Sequence, residues 1–150
     1  MKIAVFPGSF DPVTKGHENI VNRASLLFDK IYVAIGINHT KKSFFSLEQR
    51  IKWLEQCFNQ NEKIEIHTYE GLTIDFCKKM KVNYIIRGIR NGADFRYEKD
   101  IAQTNSQLAS EIETFFLAAS PKLAHISSSI IRDIYSNQGD YKQFMPDNIV

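Results

Sequence analysis

Five apolar runs alternating with helical stretches predict an α/β fold: a five-stranded parallel sheet with helices on both faces and right-handed crossovers. Two further observations carry the prediction. Ile31-Tyr32-Val33-Ala34-Ile35-Gly36-Ile37 is apolar almost throughout, as a strand covered on both faces is. Each conspicuous polar cluster also follows a strand, on the edge where such sheets bind ligands.

The first strand is expected over 2–6, ahead of Gly8-Ser9-Phe10-Asp11-Pro12-Val13-Thr14-Lys15-Gly16-His17. Strand, glycine-bearing turn and helix in that order make a phosphate site, because backbone N–H groups and the positive helix end both favour an anion. Ser9 offers a hydroxyl there, and His17 falls at or just inside the helix start. That helix is expected over roughly 17–28, with Ile20, Val21, Ala24, Leu27 and Phe28 on its apolar side. After the second strand comes the basic loop Asn38-His39-Thr40-Lys41-Lys42-Ser43. Ser46 and Gln49 form a capping box for a helix that buries Leu47, Ile51, Leu54 and Phe58.

Ile64-Glu65-Ile66-His67-Thr68-Tyr69 alternates, which places it nearer a sheet edge. Gly71 turns the chain, and Thr73 starts the third helix. Val82 to Ile86 reads as the fourth strand, delivering Arg87-Gly88-Ile89-Arg90. A helix over roughly 94–108 and a strand over Glu113–Ala118 follow. Ser127-Ser128-Ser129 then precedes a helix from Ile130 to Tyr135, with Gly139 as its capping residue. Three serines would place several hydroxyls at one positive helix end.

The 150 residues make one domain, 1–150, and a 43% hydrophobic and 24% charged composition is that of a globular protein. A net charge of +2, with no aromatic stacking stripe, argues against a nucleic-acid partner. No apolar run reaches the roughly 20 residues of a membrane span, and the short run before Gly8 is no signal peptide. Cys57 and Cys77 sit in helices without metal-ligand spacing, as reduced core thiols of a cytoplasmic protein do.

The chemistry is equally bounded. The sequence lacks a G-x-S-x-G elbow, H-E-x-x-H or Cys-x-x-Cys sites, the Walker pattern and the G-x-G-x-x-G fingerprint. What the strand ends collect is Ser9, His17, Lys41, Lys42, Thr73, Arg87, Arg90 and the three serines. Nucleotidyl transfer needs positioning and positive charge more than a protein nucleophile, and an ionised phosphate acceptor needs no general base.

Gly8-Ser9-Phe10-Asp11-Pro12 followed by Thr14-Lys15-Gly16-His17 resembles the nucleotidyltransferase signature with its T/H-x-G-H motif. Ile126-Ser127-Ser128-Ser129-Ile130-Ile131-Arg132 resembles the second signature, I-S-S-S/T-x-I/V-R. With Arg87-Gly88-Ile89-Arg90, Asp94-Phe95-Arg96-Tyr97-Glu98 and Lys41-Lys42 in order, the chain resembles the phosphopantetheine adenylyltransferase family over nearly its whole length. That resemblance implies a Rossmann-like nucleotidyltransferase fold and transfer of AMP from ATP to 4′-phosphopantetheine. The products would be dephospho-coenzyme A and pyrophosphate, with Mg²⁺ carried by ATP and no metal held by the protein. It implies that His17 binds ATP and stabilises the transition state, that Ser9 meets both substrates and that Phe10 joins it at ATP. Gly88, Ile89, Arg90, Glu98 and Leu123, Ala124, His125, Ile126, Ser127, Ser128 and Ser129 would line the ATP site. Lys41, Thr73 and Arg87 would hold phosphopantetheine. A cytoplasmic homohexamer is also implied. Leu123 departs from members with an aromatic residue there.

Two relatives of the same fold are the alternatives. A glycerol-3-phosphate cytidylyltransferase is expected to show R-T-x-G-I-S-T-T, which is missing here. A nicotinate mononucleotide adenylyltransferase is not expected to carry Asp94-Phe95-Arg96-Tyr97-Glu98. A receiver module would need clustered acids after its first and third strands, where this chain has only Asp11 and the intrahelical Asp75.

Overall fold

The computed structural model describes residues 1–150. Its strands are β1 (Ile3–Gly8), β2 (Lys30–Ile37), β3 (Ile64–Glu70), β4 (Tyr84–Ile89) and β5 (Glu113–Ala118). Its helices are α1 (Lys15–Ala24), α2 (Leu47–Phe58), α3 (Thr73–Met80), α4 (Gly92–Leu108) and α5 (Ser128–Ser136), with a 3₁₀ turn at Lys142–Phe144. All strand pairs are parallel, in the order β3-β2-β1-β4-β5, so the chain reverses its direction of travel across the sheet between β1 and β4.

Period-two alternation inside the apolar strands supplies both faces of the sheet. Ala4, Phe6, Val33, Ile35 and Ile86 pack with Ile20 and Val21 of α1 and Leu54 and Phe58 of α2. Val5, Tyr32, Ala34 and Ile85 point the other way, onto Ile74, Phe76 and Cys77 of α3. Both cysteines are free and buried.

The crevice between β1 and β4 has a local cause. The β1–β2 register runs from Ile3↔Lys30 to Gly8↔Ile35, whereas β1 meets β4 only at Ala4↔Tyr84 and Val5↔Ile85. Pro7 has no N–H to continue that ladder, and its carbonyl takes the Arg87 side chain instead. β1 and β4 therefore part after Val5, while β1 stays paired with β2 as far as Gly8, and the gap opens at the topological switch point.

Several boundaries differ from the sequence reading. β1 continues two residues beyond the expected 2–6, to Gly8. β4 begins at Tyr84, not Val82, and contains Arg87, Gly88 and Ile89. Val82 is buried, but as part of a helix cap: Lys81 turns left-handed (φ 59) and the Val82 N–H donates to Cys77 O at 2.9 Å. α1 starts earlier, at Lys15, and stops at Ala24; Leu27 is 63% exposed while Phe28 returns to the core. α4 and α5 each begin two residues sooner than expected, at Gly92 and Ser128. Ser46 caps Gln49 N–H, but the reciprocal half of that capping box is not formed. Past α5 the left-handed residue is Gln138 (φ 61), not Gly139. Gly139 is there for closeness: a Cβ would stand 2.8 Å from Ile134 Cγ2.

Candidate active site

The turn after β1 is built from backbone. Phe10 takes a left-handed conformation (φ 47), and its ring is 2% exposed, packed edge-on to His17 at 5.0 Å and tilted against Phe6 at 5.6 Å. Phe10 thus contributes main chain to the site, its ring being the anchor. Three carbonyls of the turn are taken by side chains from elsewhere. Arg50 Nη1 donates to Ser9 O at 2.9 Å, Arg132 Nη1 to Asp11 O at 2.8 Å and Ser128 Oγ to Pro12 O at 2.7 Å. The Asp11 carboxylate accepts the Phe44 and Phe45 N–H groups at 2.7 and 2.9 Å, which ties the basic loop to the turn.

Thr14 caps α1, and His17 is the third helical residue. The Thr14 hydroxyl accepts the His17 N–H at 3.2 Å, and His17 Nδ1 accepts the Thr14 N–H at 3.0 Å. An imidazole nitrogen that accepts carries no proton, so the ring is neutral with its hydrogen on Nε2. Burial first, then the positive charges of Arg87 and Arg90, lowers the His17 pKa to about 4. The residue lines the cleft as a fixed, uncharged N–H donor.

β4 and the residue just after it supply the cations, and α4 supplies their acidic partners. Arg87 forks onto Glu98, with Nε and Nη2 at 2.9 and 2.7 Å from the two carboxylate oxygens. Arg90 pairs with Asp94 at 3.0 Å and reaches Ile126 O at 3.5 Å. Burial raises the Asp94 pKa, but its hydrogen bonds from Arg90 outweigh that and leave it below the ordinary carboxylate range.

At the start of α5 the three serines have different duties. Ser127 Oγ caps the helix by accepting the Ile130 N–H at 3.2 Å, and Ser128 is spent on Pro12. Only the Ser129 hydroxyl has no protein partner, so the expected row of free hydroxyls reduces to one hydroxyl and the N-terminal amides.

Two cavities meet here. The larger, about 380 Å³, is lined by Ser9, Phe10, His17, Gly88, Arg90, Glu98, Leu123, Ile126 and all three serines. The smaller, about 170 Å³, is lined by Thr73, Arg87, Tyr69, Asn105 and Thr114 among others. Pro7, Gly8, Arg87 and Glu98 line both, so the Arg87–Glu98 pair is their common wall. Ile89, Ala124 and His125, expected in the ATP site, line neither cavity. Lys41 also lines neither, lying exposed on the loop after β2.

The sequence reading missed Arg50, Arg132, Thr14, Tyr69 and Asn105. Arg50 left a signal, a charge on the apolar side of α2. Arg132 stood inside the second signature. Tyr69 left a fainter one: it crosses Gly36, where a Cβ would meet its hydroxyl at 3.1 Å, and it hydrogen-bonds Thr73 at 2.8 Å. Burial raises the Tyr69 pKa, so that hydroxyl keeps its proton.

A glycine-bearing turn, a helix N-terminus and paired arginines at the switch point make up a site of the nucleotidyltransferase class. Residues 5–134 match the family model described as cytidylyltransferase-like. The chain is 51% identical to the phosphopantetheine adenylyltransferase of Flavobacterium johnsoniae over 99% of this chain and 97% of that one. It is 45% identical to the enzyme of that name from Clostridium perfringens, over 100% and 92%. The chain belongs to the phosphopantetheine adenylyltransferase family. Solved structures agree on the fold. A putative nicotinate-nucleotide adenylyltransferase from Vibrio parahaemolyticus superposes with a TM-score of 0.73 at 17% identity, covering 97% of this chain and 94% of that one. A nicotinic acid mononucleotide adenylyltransferase from Plasmodium falciparum, complexed with NaAD, gives 0.68 at 20%, covering 97% and 91%.

Proposed function

We propose that this chain transfers AMP from ATP to 4′-phosphopantetheine, giving dephospho-coenzyme A and pyrophosphate. The observation that carries the reading is the pair of cavities sharing the Arg87–Glu98 wall, in a chain whose relatives bear that name. A nucleotide fits the larger cleft with its phosphates over the Ser9–Phe10 turn and the α5 N-terminus. The acceptor arm fits the smaller cavity, where Asn105, Thr73 and Thr114 can meet amide and hydroxyl groups.

In this mechanism an oxygen of the acceptor's ionised phosphate attacks the α-phosphorus of ATP. The bond from that phosphorus to the pyrophosphate oxygen breaks, and pyrophosphate leaves with the electron pair. No proton has to move. The chain's part is geometric and electrostatic: His17 Nε2–H, the turn amides, Arg90 and Arg132 face the charge that builds on the α- and β-phosphates. Arg87 sits where the two substrates meet. Glu98 and Asp94 are both held by arginines, and in this reading Mg²⁺ arrives as part of the ATP substrate.

A pyrophosphate-release assay with a panel of acceptors tests the substrate. 4′-Phosphopantetheine with ATP should turn over, nicotinate mononucleotide and glycerol 3-phosphate far less, and CTP should be a poor donor. Preferred turnover of either other acceptor would refute the assignment. The same reading includes a homohexamer in the cytoplasm. Exposed Leu26, Leu27, Leu108 and Phe115 offer apolar surface for subunit contacts, and sedimentation velocity measures the assembly. No helix is long and apolar enough to cross a membrane.

A further inference from the structure

Arg50 lies on the apolar side of α2 and is only 7% exposed. A guanidinium does not lose its charge on burial, so it must find partners. None of the chain's ion pairs includes it. Its Nη1 goes to the Ser9 carbonyl at 2.9 Å, its Nη2 to the Ser43 hydroxyl at 3.2 Å, and its buried Nε has no partner. A buried cation without a counter-ion, committed to one backbone carbonyl and one hydroxyl, is a costly arrangement if cohesion is its only purpose.

The geometry of one peptide unit supplies another purpose. The Ser9–Phe10 bond is trans and planar, so its C=O and N–H point in opposite directions. With Ser9 O turned to Arg50, the Phe10 N–H is turned away from it. Phe10 lines the larger cleft, Arg50 does not, and the Phe10 N–H has no protein partner. The alternative orientation is close at hand. Flipping this peptide changes ψ of Ser9 and φ of Phe10, and would release Phe10 from a left-handed φ of 47 that an aromatic residue rarely adopts. The flipped unit would put a carbonyl oxygen where an anion sits.

We infer that Arg50 is a positioning residue: by holding the Ser9 carbonyl, it presents the Phe10 amide to the phosphate groups of the nucleotide. Its second arm, on Ser43, braces the loop bearing Lys41 and Lys42 against the same turn. The inference rests on the reading that the larger cleft takes ATP.

The test uses ¹⁵N-phenylalanine-labelled protein titrated with ATP alone, beside calorimetry and a thermal melt, for the wild type, Arg50→Met and Arg50→Lys. In the wild type the Phe10 amide resonance should move downfield on ATP binding. In Arg50→Met, which keeps the stem but no donor, that movement should vanish. ATP affinity should fall roughly tenfold to a hundredfold, the range for losing one charge-assisted contact. Arg50→Lys retains a charged donor for Ser9 and should keep the downfield movement. It decides the matter if Arg50→Met does not fold. A Phe10 amide that ignores ATP in the wild type overturns the inference. So does one that moves equally in Arg50→Met, or stays still in a folded Arg50→Lys. Because no acceptor is present, wild-type protein that shows the Phe10 movement yet transfers AMP to no acceptor refutes the proposed reaction while leaving Arg50's role intact.

Discussion

Replacing His17 separates the job that the structure gives to its ring from the one that the proposed function adds. Its Nδ1 accepts the Thr14 N–H at 3.0 Å and so closes the capping box of α1, while the proposed function assigns Nε2–H to the phosphates. Losing a capping contact costs about 1 kcal/mol, which in a chain of this length lowers Tm by roughly 2–4 °C. Losing a preorganised donor to developing charge costs about 10²–10³ in kcat, or roughly 2.7–4 kcal/mol. His17→Ala should show both effects. His17→Gln carries a side-chain oxygen of the kind that completes capping boxes, so its melt should stay near that of the wild type while kcat still falls about a hundredfold or more. An interaction made chiefly in the transition state lowers kcat and kcat/KM together, so KM for ATP should hold in both variants. Steady-state kinetics beside thermal melts is the assay. A steep rise in KM for ATP with kcat retained would make His17 a ground-state binder. Full activity in His17→Gln would refute the claim that the Nε2 donor matters at all.

The same ring makes stability depend on acid. Its folded pKa of about 4 lies below the unfolded value of 6.5, so the unfolded chain binds more protons in between. The stability contributed by the neutral ring is therefore complete above pH 6.5 and lost as pH falls towards 4; melts across that window should show a shallower acid slope for His17→Gln, and an equal slope would disprove the shift. For the cations, Arg90→Ala should weaken ATP binding roughly tenfold to a hundredfold with phosphopantetheine affinity little changed, and Lys41→Ala should do the reverse. Calorimetric titration of each ligand decides it, and equal losses for both ligands in both variants would mean that the assignment of cations to substrates is wrong.

Hydrophobic pattern made the architecture legible. The limits of β5, the start of α3 and the edge position of β3 follow from periodicity, because each element buries one face against a neighbour. Where the reading slipped, backbone hydrogen bonding had overruled the pattern. Val82 is as apolar as a strand residue, yet it serves the cap of α3 through Cys77 O. Ser9, His17, Thr73, Arg90 and the three serines were legible together because each comes after a strand, whereas Arg87 lies within β4, Arg50 lies inside α2, and the division of labour was not legible. Ser128 looks like its two neighbours in sequence, and only the fold brings it to Pro12, 116 residues earlier. Arg87 and Glu98 are both foreseen, but their pairing into a wall depends on the angle at which α4 returns over β4.

The capping contact also explains how His17 can be a constant donor beside a changing charge. Bound triphosphate would favour imidazolium, and Arg87 and Arg90 oppose it, so the electrostatic balance alone would shift whenever ATP enters or pyrophosphate leaves. Protonation, however, would have to place a hydrogen on Nδ1, facing the Thr14 N–H across 3.0 Å. Two donors would then confront each other, and the first turn of α1 would lose the returning half of its capping box. Thr14 is 2% exposed and cannot turn to solvent for relief. The helix start thus penalises the charged ring independently of what occupies the cleft. In the proposed reaction, a neutral donor on a fixed bearing would interact weakly with the resting phosphates and more strongly as charge accumulates on the α-phosphate oxygens, which is the condition for lowering a barrier without merely tightening the substrate.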